Sequence, residues 1–183
     1  MKIGIDIDDT LTNTKDEQIK YWKIYTEKKP HPKYTSELPD YINEFSDEYI
    51  NEFWDTYRKE LTFHNNFKKN ASKIINKLWK DGHELCIVTS RPDEKYDDLH
   101  KMLKDWFKLN KINIFEYHTS VMDKGIYIKE NNIDLLIDDS LKHINSAKNL
   151  NKKCILFNNI DNYEGIQTDN WTDLYKIIKE LSK

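Results

Sequence analysis

A chain of 183 residues, 38% hydrophobic and 33% charged, can hold one full core with a small insertion, and this composition excludes a disordered polymer. Its net charge of −3 and pI near 6.1, with Lys and Arg spread among acids, exclude a general attraction to nucleic acid or to an anionic lipid surface. Only Cys86 and Cys154 are present, each in an apolar run, which excludes a disulfide framework and predicts two small buried hydrophobes in a reducing compartment. No apolar run reaches membrane-spanning length and the chain opens on a strand pattern, so a cytoplasmic protein that binds neither membrane nor nucleic acid is expected.

In Met1-Lys-Ile-Gly-Ile-Asp-Ile-Asp-Asp-Thr10, Ile3, Ile5 and Ile7 alternate with Gly4 and Asp6, the period of a strand. Gly4 is expected to let another backbone approach. The strand runs into Asp6, Asp8 and Asp9, whose mutual repulsion calls for a proton or a divalent cation. Residues 15–25 read as a helix with Ile19, Trp22 and Tyr25 on one side, ended by Pro30 and Pro32; residues 47–61 read as a second, with Ile50, Phe53, Trp54, Tyr57 and Leu61 in one stripe. No strand pattern occurs over 11–70, so this stretch is expected to be a helical insertion.

From Asn70, an expected helix cap, the pattern is regular. A helix carries Ile74, Ile75, Leu78 and Trp79 and closes at Asp81-Gly82; Leu85 to Val88 is a strand buried on both faces, ending in Thr89-Ser90-Arg91-Pro92. A helix with Leu99, Met102, Leu103, Trp106 and Phe107 inside leads to an expected strand over 112–115. Asp123-Lys124-Gly125 opens a short helix, 133–137 is a strand ending in Asp138-Asp139, and Ser140 is expected to cap the next helix. Residues 154–157 form the fifth strand and 171–181 the closing helix. The six histidines show no paired metal spacing and are read as surface or turn residues.

Strands alternating with helices imply a Rossmann-like parallel sheet flanked by helices, an α/β fold, with 1–10 and 71–183 as its core and 11–70 as the insertion. In such a sheet the polar strand ends share one crevice. Carboxylates from two strands can hold Mg²⁺, and a Thr hydroxyl with one Lys suits the oxygens of a phosphoryl group. These parts describe phosphoryl transfer.

Asp6-Ile-Asp8-Asp-Thr10-Leu resembles the first motif, DxDx(T/V), of the haloacid dehalogenase superfamily of phosphohydrolases. Thr89 resembles its second motif, Lys124 its third and Asp138-Asp139 its fourth, and the helical insertion matches the family's cap position. The resemblance implies hydrolysis through an aspartyl-phosphate on Asp6, with Asp8 as acid and base. It implies Mg²⁺ on the Asp6 carboxylate, the Asp8 carbonyl and the Asp138 carboxylate, with Asp139 on a metal-bound water or capping a helix. Thr89 and Lys124 would hold the phosphoryl group, Ser90 being a further candidate and Lys129 an alternative to Lys124. The ending Asp134-Leu-Leu-Ile-Asp-Asp139 and an aromatic cap are similar to the 5′(3′)-deoxyribonucleotidase family, which implies a nucleoside monophosphate as substrate. Tyr21, Trp22, Tyr25, Phe45, Tyr49, Phe53, Trp54 and Tyr57 include rings able to stack on a base, Trp22 and Trp54 foremost. Asn43, Glu44 and Asn51 are polar enough to bind the hydroxyls of a sugar phosphate, the alternative substrate class. Two other readings are a phosphoacceptor signalling module and an interaction protein whose acids are unused. A homo-oligomer is left open.

Overall fold

The structure, a computed structural model, describes residues 1–43 and 47–183. Phe45 and Glu44 lie outside the described residues. Five strands, β1 (Lys2–Ile5), β2 (Glu84–Val88), β3 (Glu116–His118), β4 (Leu135–Asp138) and β5 (Lys153–Leu156), form one parallel sheet in the order β3-β2-β1-β4-β5. The chain adds strands to one side of β1 and then to the other, so the strand order reverses between β1 and β4. In open parallel sheets ligands collect at that reversal, past the carboxyl ends of the strands.

The helices are α1 (Thr14–Lys28), α2 (Glu48–Phe63), α3 (Ala71–Lys80), α4 (Leu99–Leu109), α5 (Lys124–Glu130), α6 (Leu141–Asn149) and α7 (Trp171–Leu181). Two compact units result, residues 1–12 with 67–183 and residues 13–66.

In the sheet unit, one core packs Val88, Leu136 and Leu156 of the strands against Ile128 of α5 and Ile144 and Ala147 of α6. Gly125 permits this, because a Cβ there would collide with the backbone of Ser146 and Ala147. Gly4 also faces crowding, but from side chains and not from a backbone: a Cβ would meet Val88 Cγ2 at 3.0 Å and Ile133 Cγ2 at 3.3 Å. The left-handed turn at Gly82 (φ +86°) ends α3 as its sequence implies, with Gly82 N–H donating to Trp79 O.

Three local expectations are corrected. The strand expected over 112–115 is at Glu116–His118. The apolar Ile112 instead seals the end of α4: Lys111 is left-handed (φ 56°), Ile112 N–H donates back to Phe107 O and its side chain is buried, the hydrophobic closure of a helix terminus. Asn70 stands at the start of α3 in the left-handed region (φ 66°) and its amide donates to Thr172 Oγ1 rather than capping. Ser140 precedes α6 without a side-chain cap; its N–H is taken by Asp138 Oδ1 at 2.8 Å.

The helical unit is an aromatic core. Trp22 has no exposed surface, meets Tyr34, Tyr49 and Phe53 edge-on, and donates its indole N–H to Thr35 O and Glu37 O at 3.0 and 2.9 Å. Tyr34 and Tyr49 stack at 5.0 Å. Asp47 caps α2 by accepting from Ile50 N–H at 3.0 Å. No helix among the described residues is long and apolar enough to cross a membrane.

Candidate active site

At the reversal point the ends of β1 and β4 bring Asp6 and Asp138 together. Asp6 N–H still donates to Ile137 O at 3.0 Å, so Asp6 continues the β1–β4 pairing by one residue, and its side chain is 7% exposed. Asp138 is the last residue of β4 and has no exposed surface. Between the two carboxylates lies the Lys124 ammonium, 2.5 Å from Asp6 Oδ1 and 2.6 Å from Asp138 Oδ2. Lys124 is the first residue of α5 and is buried. The helix start is fixed by Asp123, which accepts from Ile126 N–H at 3.1 Å and from Ser146 Oγ at 2.6 Å, and Gly125 brings it against α6. Lys129, the alternative, is exposed on α5.

Past β1 the chain turns at once. Leu11 and Thr12 N–H both donate to Ile7 O, and Asp9 takes a left-handed backbone (φ 55°) that aspartate tolerates better than most residues. This turn sets Thr10 Oγ1 to donate to Asp139 Oδ1 at 3.4 Å, while Trp171 of α7 anchors Thr10 O through its indole N–H at 3.1 Å.

Asp8 is bound at both oxygens by an arginine that the sequence reading passed over. Arg91 Nε donates to Oδ2 at 3.0 Å and Nη2 to Oδ1 at 2.8 Å. Arg91 is 7% exposed; burial works against its charge, but Asp8 outweighs it and keeps the guanidinium more basic than usual. The signal available in sequence was that Arg91 is one of only two arginines in a lysine-rich chain and stands just past a strand. Thr89 is buried after β2; its Oγ1 accepts from Arg91 N–H at 3.3 Å. Ser90 is turned to its own loop, donating to Val121 O at 2.8 Å.

Among the described residues, Asp6, Asp8, Asp138 and Asp139, with Asp9 acting on Asp139, thus stand with two cations, Lys124 and Arg91. The shortage of positive charge shows in the acid–base properties. Burial first, then Asp138, Asp139 and Asp8, raises the Asp6 carboxyl well above the ordinary range despite Lys124. Burial, then Asp138 and Asp9, raises Asp139 to about 7. Lys124 is also raised, the cost of its burial being overcome by Asp6 and then Asp138.

Oxygens of Asp6, Asp138 and Asp139 lie within 4.8 Å of one another, and an all-oxygen, anionic set fits a hard divalent ion such as Mg²⁺. Of the expected set, the Asp6 and Asp138 carboxylates stand together and the Asp139 carboxylate stands beside them; the Asp8 carboxylate, which that set does not use because it enlists the Asp8 backbone carbonyl, is held by Arg91. The stacking role expected of Trp22 is not available, because the ring is enclosed on all sides. Trp54 is half-buried against the same core and donates to Ile42 O at 3.3 Å. Asn43 and Asn51 are exposed.

No protein-family model and no curated protein matches the sequence. Solved structures do. A haloacid dehalogenase-like family hydrolase from Streptococcus pneumoniae is 12% identical, with a TM-score of 0.68 over 97% of both chains. A structure described as a "predicted phosphatase" from Clostridium acetobutylicum is 17% identical, with a TM-score of 0.69 over 98% of both. CbbY from Rhodobacter sphaeroides, solved as a mutant with xylulose-1,5-bisphosphate, is 11% identical, with a TM-score of 0.62 over 94% of this chain and 95% of that one. At these identities the likeness is one of architecture: the chain has the Rossmann-like fold of the haloacid dehalogenase-like hydrolases.

Proposed function

We propose that this chain is a Mg²⁺-dependent phosphomonoester hydrolase that works through an aspartyl-phosphate on Asp6, with a small phosphorylated metabolite, a sugar phosphate ahead of a nucleotide, as substrate. The observation that carries the reading is the buried Asp6–Lys124–Asp138 bridge at the strand-order reversal, where excess negative charge awaits a ligand.

Asp6, Asp138 and Asp139 would hold Mg²⁺, which when bound supplies positive charge to the phosphoryl oxygens. An Asp6 oxygen attacks phosphorus while the bond from phosphorus to the leaving oxygen breaks, and Asp8 gives that oxygen a proton. Water then attacks phosphorus and gives a proton to Asp8 as the bond to Asp6 breaks, so inorganic phosphate leaves and both residues are restored. Both Asp8 oxygens accept from Arg91 at rest, so Asp8 must release one of these bonds to carry its proton. Lys124 must likewise trade one carboxylate for a phosphoryl oxygen, beside the Thr89 hydroxyl. Ser90 is left out of the phosphate set, since its hydroxyl serves the Val121 carbonyl. In this reading the helical unit, inserted in sequence between the first two strands, is the cap.

The sugar-phosphate preference has two supports. Trp22, foremost of the rings favoured for stacking on a base, is core. CbbY, of like fold, was solved with a sugar bisphosphate. Steady-state phosphate release from a panel of sugar phosphates and nucleoside monophosphates, with and without Mg²⁺, tests both levels. Sustained, Mg²⁺-dependent turnover with the highest kcat/KM on a sugar phosphate is expected. A nucleotide ahead of every sugar phosphate would overturn the substrate class and keep the chemistry. One stoichiometric phosphorylation without release would make the chain a phosphoacceptor module.

A further inference from the structure

A second cluster of ligating atoms lies on the sheet away from the acids. Cys86 of β2 and Glu116 of β3 are partners in the parallel register, and His118, two residues on from Glu116, projects from the same face of β3. Cys86 Sγ is 3.8 Å from Glu116 Oε2, His118 Nε2 is 3.1 Å from the same oxygen, and the three atoms all lie within 4.8 Å of one another. Ligands at the usual Zn²⁺ distances of about 2.0 to 2.3 Å stand roughly 3 to 4 Å apart around a tetrahedral ion. The other imidazole nitrogen, Nδ1, is fixed at 3.0 Å by the Tyr127 hydroxyl of α5, the kind of outer contact that orients a metal-binding histidine.

We propose that Cys86, Glu116 and His118 form a binding site for Zn²⁺ or a similar borderline-soft divalent ion, with a fourth position open to water. The thiolate, imidazole and carboxylate set distinguishes it from the all-oxygen acid cluster, which suits Mg²⁺. Entry is from the sheet edge: β3 is the outermost strand, and the Glu116 side chain is 37% exposed. The Lys2 ammonium, 2.7 Å from Glu116 Oε2, is the cation at this spot in the absence of metal, and it must give up that oxygen on binding. The Cys86 thiol, pushed up to about 12 chiefly by burial, releases its proton to solvent as the sulfur–metal bond forms. His118 is thus more than the surface residue expected from spacing, and Cys86 more than a small hydrophobe.

The test is titration of the intact, Mg²⁺-saturated protein with Co²⁺, followed by the near-ultraviolet absorption of thiolate-bound cobalt. One equivalent is expected to produce that absorption and Zn²⁺ to abolish it. Cys86→Ser should remove it, Cys154→Ser should keep it, and His118→Ala and Glu116→Gln should weaken binding by at least about tenfold. Lys2→Met, which removes the competing ammonium, should tighten it. Absence of the absorption in the wild type, or its persistence unchanged in Cys86→Ser or in His118→Ala, overturns the site. Were Cys86→Ser to misfold, the His118 and Glu116 variants decide on their own, because a merely structural role would leave cobalt affinity unmoved.

Discussion

The two units bury polar groups for different reasons. Among the described residues, every buried charged side chain of the molecule, Asp6, Arg91, Lys124 and Asp138, belongs to the sheet unit. The helical unit buries neutral groups and gives several of them a backbone partner: Thr26 Oγ1 donates to Trp22 O at 3.0 Å, Tyr25 to Tyr49 O at 3.2 Å and Tyr49 to Lys29 O at 2.6 Å, while Tyr34 donates to the Asp47 carboxylate and Asn65 Oδ1 is left unsatisfied. A hydroxyl satisfied by a carbonyl stabilises a core and asks for nothing further. Carboxylates packed against too few cations destabilise the fold until something positive arrives, and such strain collects at functional sites.

The comparison is tested most strongly by separating activity from stability. Asp6→Asn removes the proposed nucleophile and one of the crowded charges with little change of volume, so turnover should fall at least about a thousandfold while Tm stays level or rises; near-normal turnover breaks the assignment of Asp6. Lys124→Met removes the ammonium shared by Asp6 and Asp138, and the uncompensated buried charges should cost about 3 to 5 kcal/mol in chemical denaturation without divalent ions. Saturating Mg²⁺ should restore much of that. In the helical unit Trp22→Leu should cost about 2 to 4 kcal/mol, from lost burial and two lost indole hydrogen bonds, with no Mg²⁺ rescue. Rescue there would mean the two units are not distinct in the way their buried groups imply.

The sheet was legible because fully buried parallel strands are written as apolar runs, and each run that matters stops at a residue no core would otherwise accept: Asp6, Thr89, Asp138. That put the acids on one edge before any strand order was known. Residues 112–115 misled because Ile112 is apolar for the sake of a helix end, while the true edge strand, Glu116-Tyr117-His118, is only half-buried on a sheet rim and carries no apolar run. Pattern alone does not separate the two uses of an isoleucine. Arg91 was missed for another reason: its partner is 83 residues away, and only the register of β1 beside β2 makes Asp8 its neighbour. Trp22 at helical spacing signalled burial correctly, but periodicity does not say whether a buried ring is closed off or lines a pocket.

The remaining expected effect, the pH dependence of stability, has opposite signs in the two units. Asp139 is raised to about 7 in the folded sheet unit, against about 4 in an unfolded chain. Between those values the folded state holds a proton that the unfolded state has lost, so without divalent ions its contribution to stability falls as pH rises from about 4 to about 7. Asp6 is raised too and acts in the same direction. Mg²⁺ bound as proposed would take the ionised carboxylates, so its stabilisation should grow across the same window, being small at pH 5 and largest above 7. Asp47 of the helical unit behaves in reverse. The Tyr34 hydroxyl and then the Ile50 N–H hold its carboxyl down at about 2, so its contribution is present above about 4 and is lost as pH falls toward 2. Melting curves at steps from pH 2.5 to 8, with chelator or with Mg²⁺, should show the Mg²⁺ increment rising with pH in the wild type and flattened in Asp139→Asn. Asp47→Asn should remove part of the acid-side loss and leave the Mg²⁺ increment untouched. An increment equal at pH 5 and pH 8 would mean that proton and metal do not compete for the acid cluster, and the charge shortage at Asp6, Asp138 and Asp139 would not be what the ion relieves.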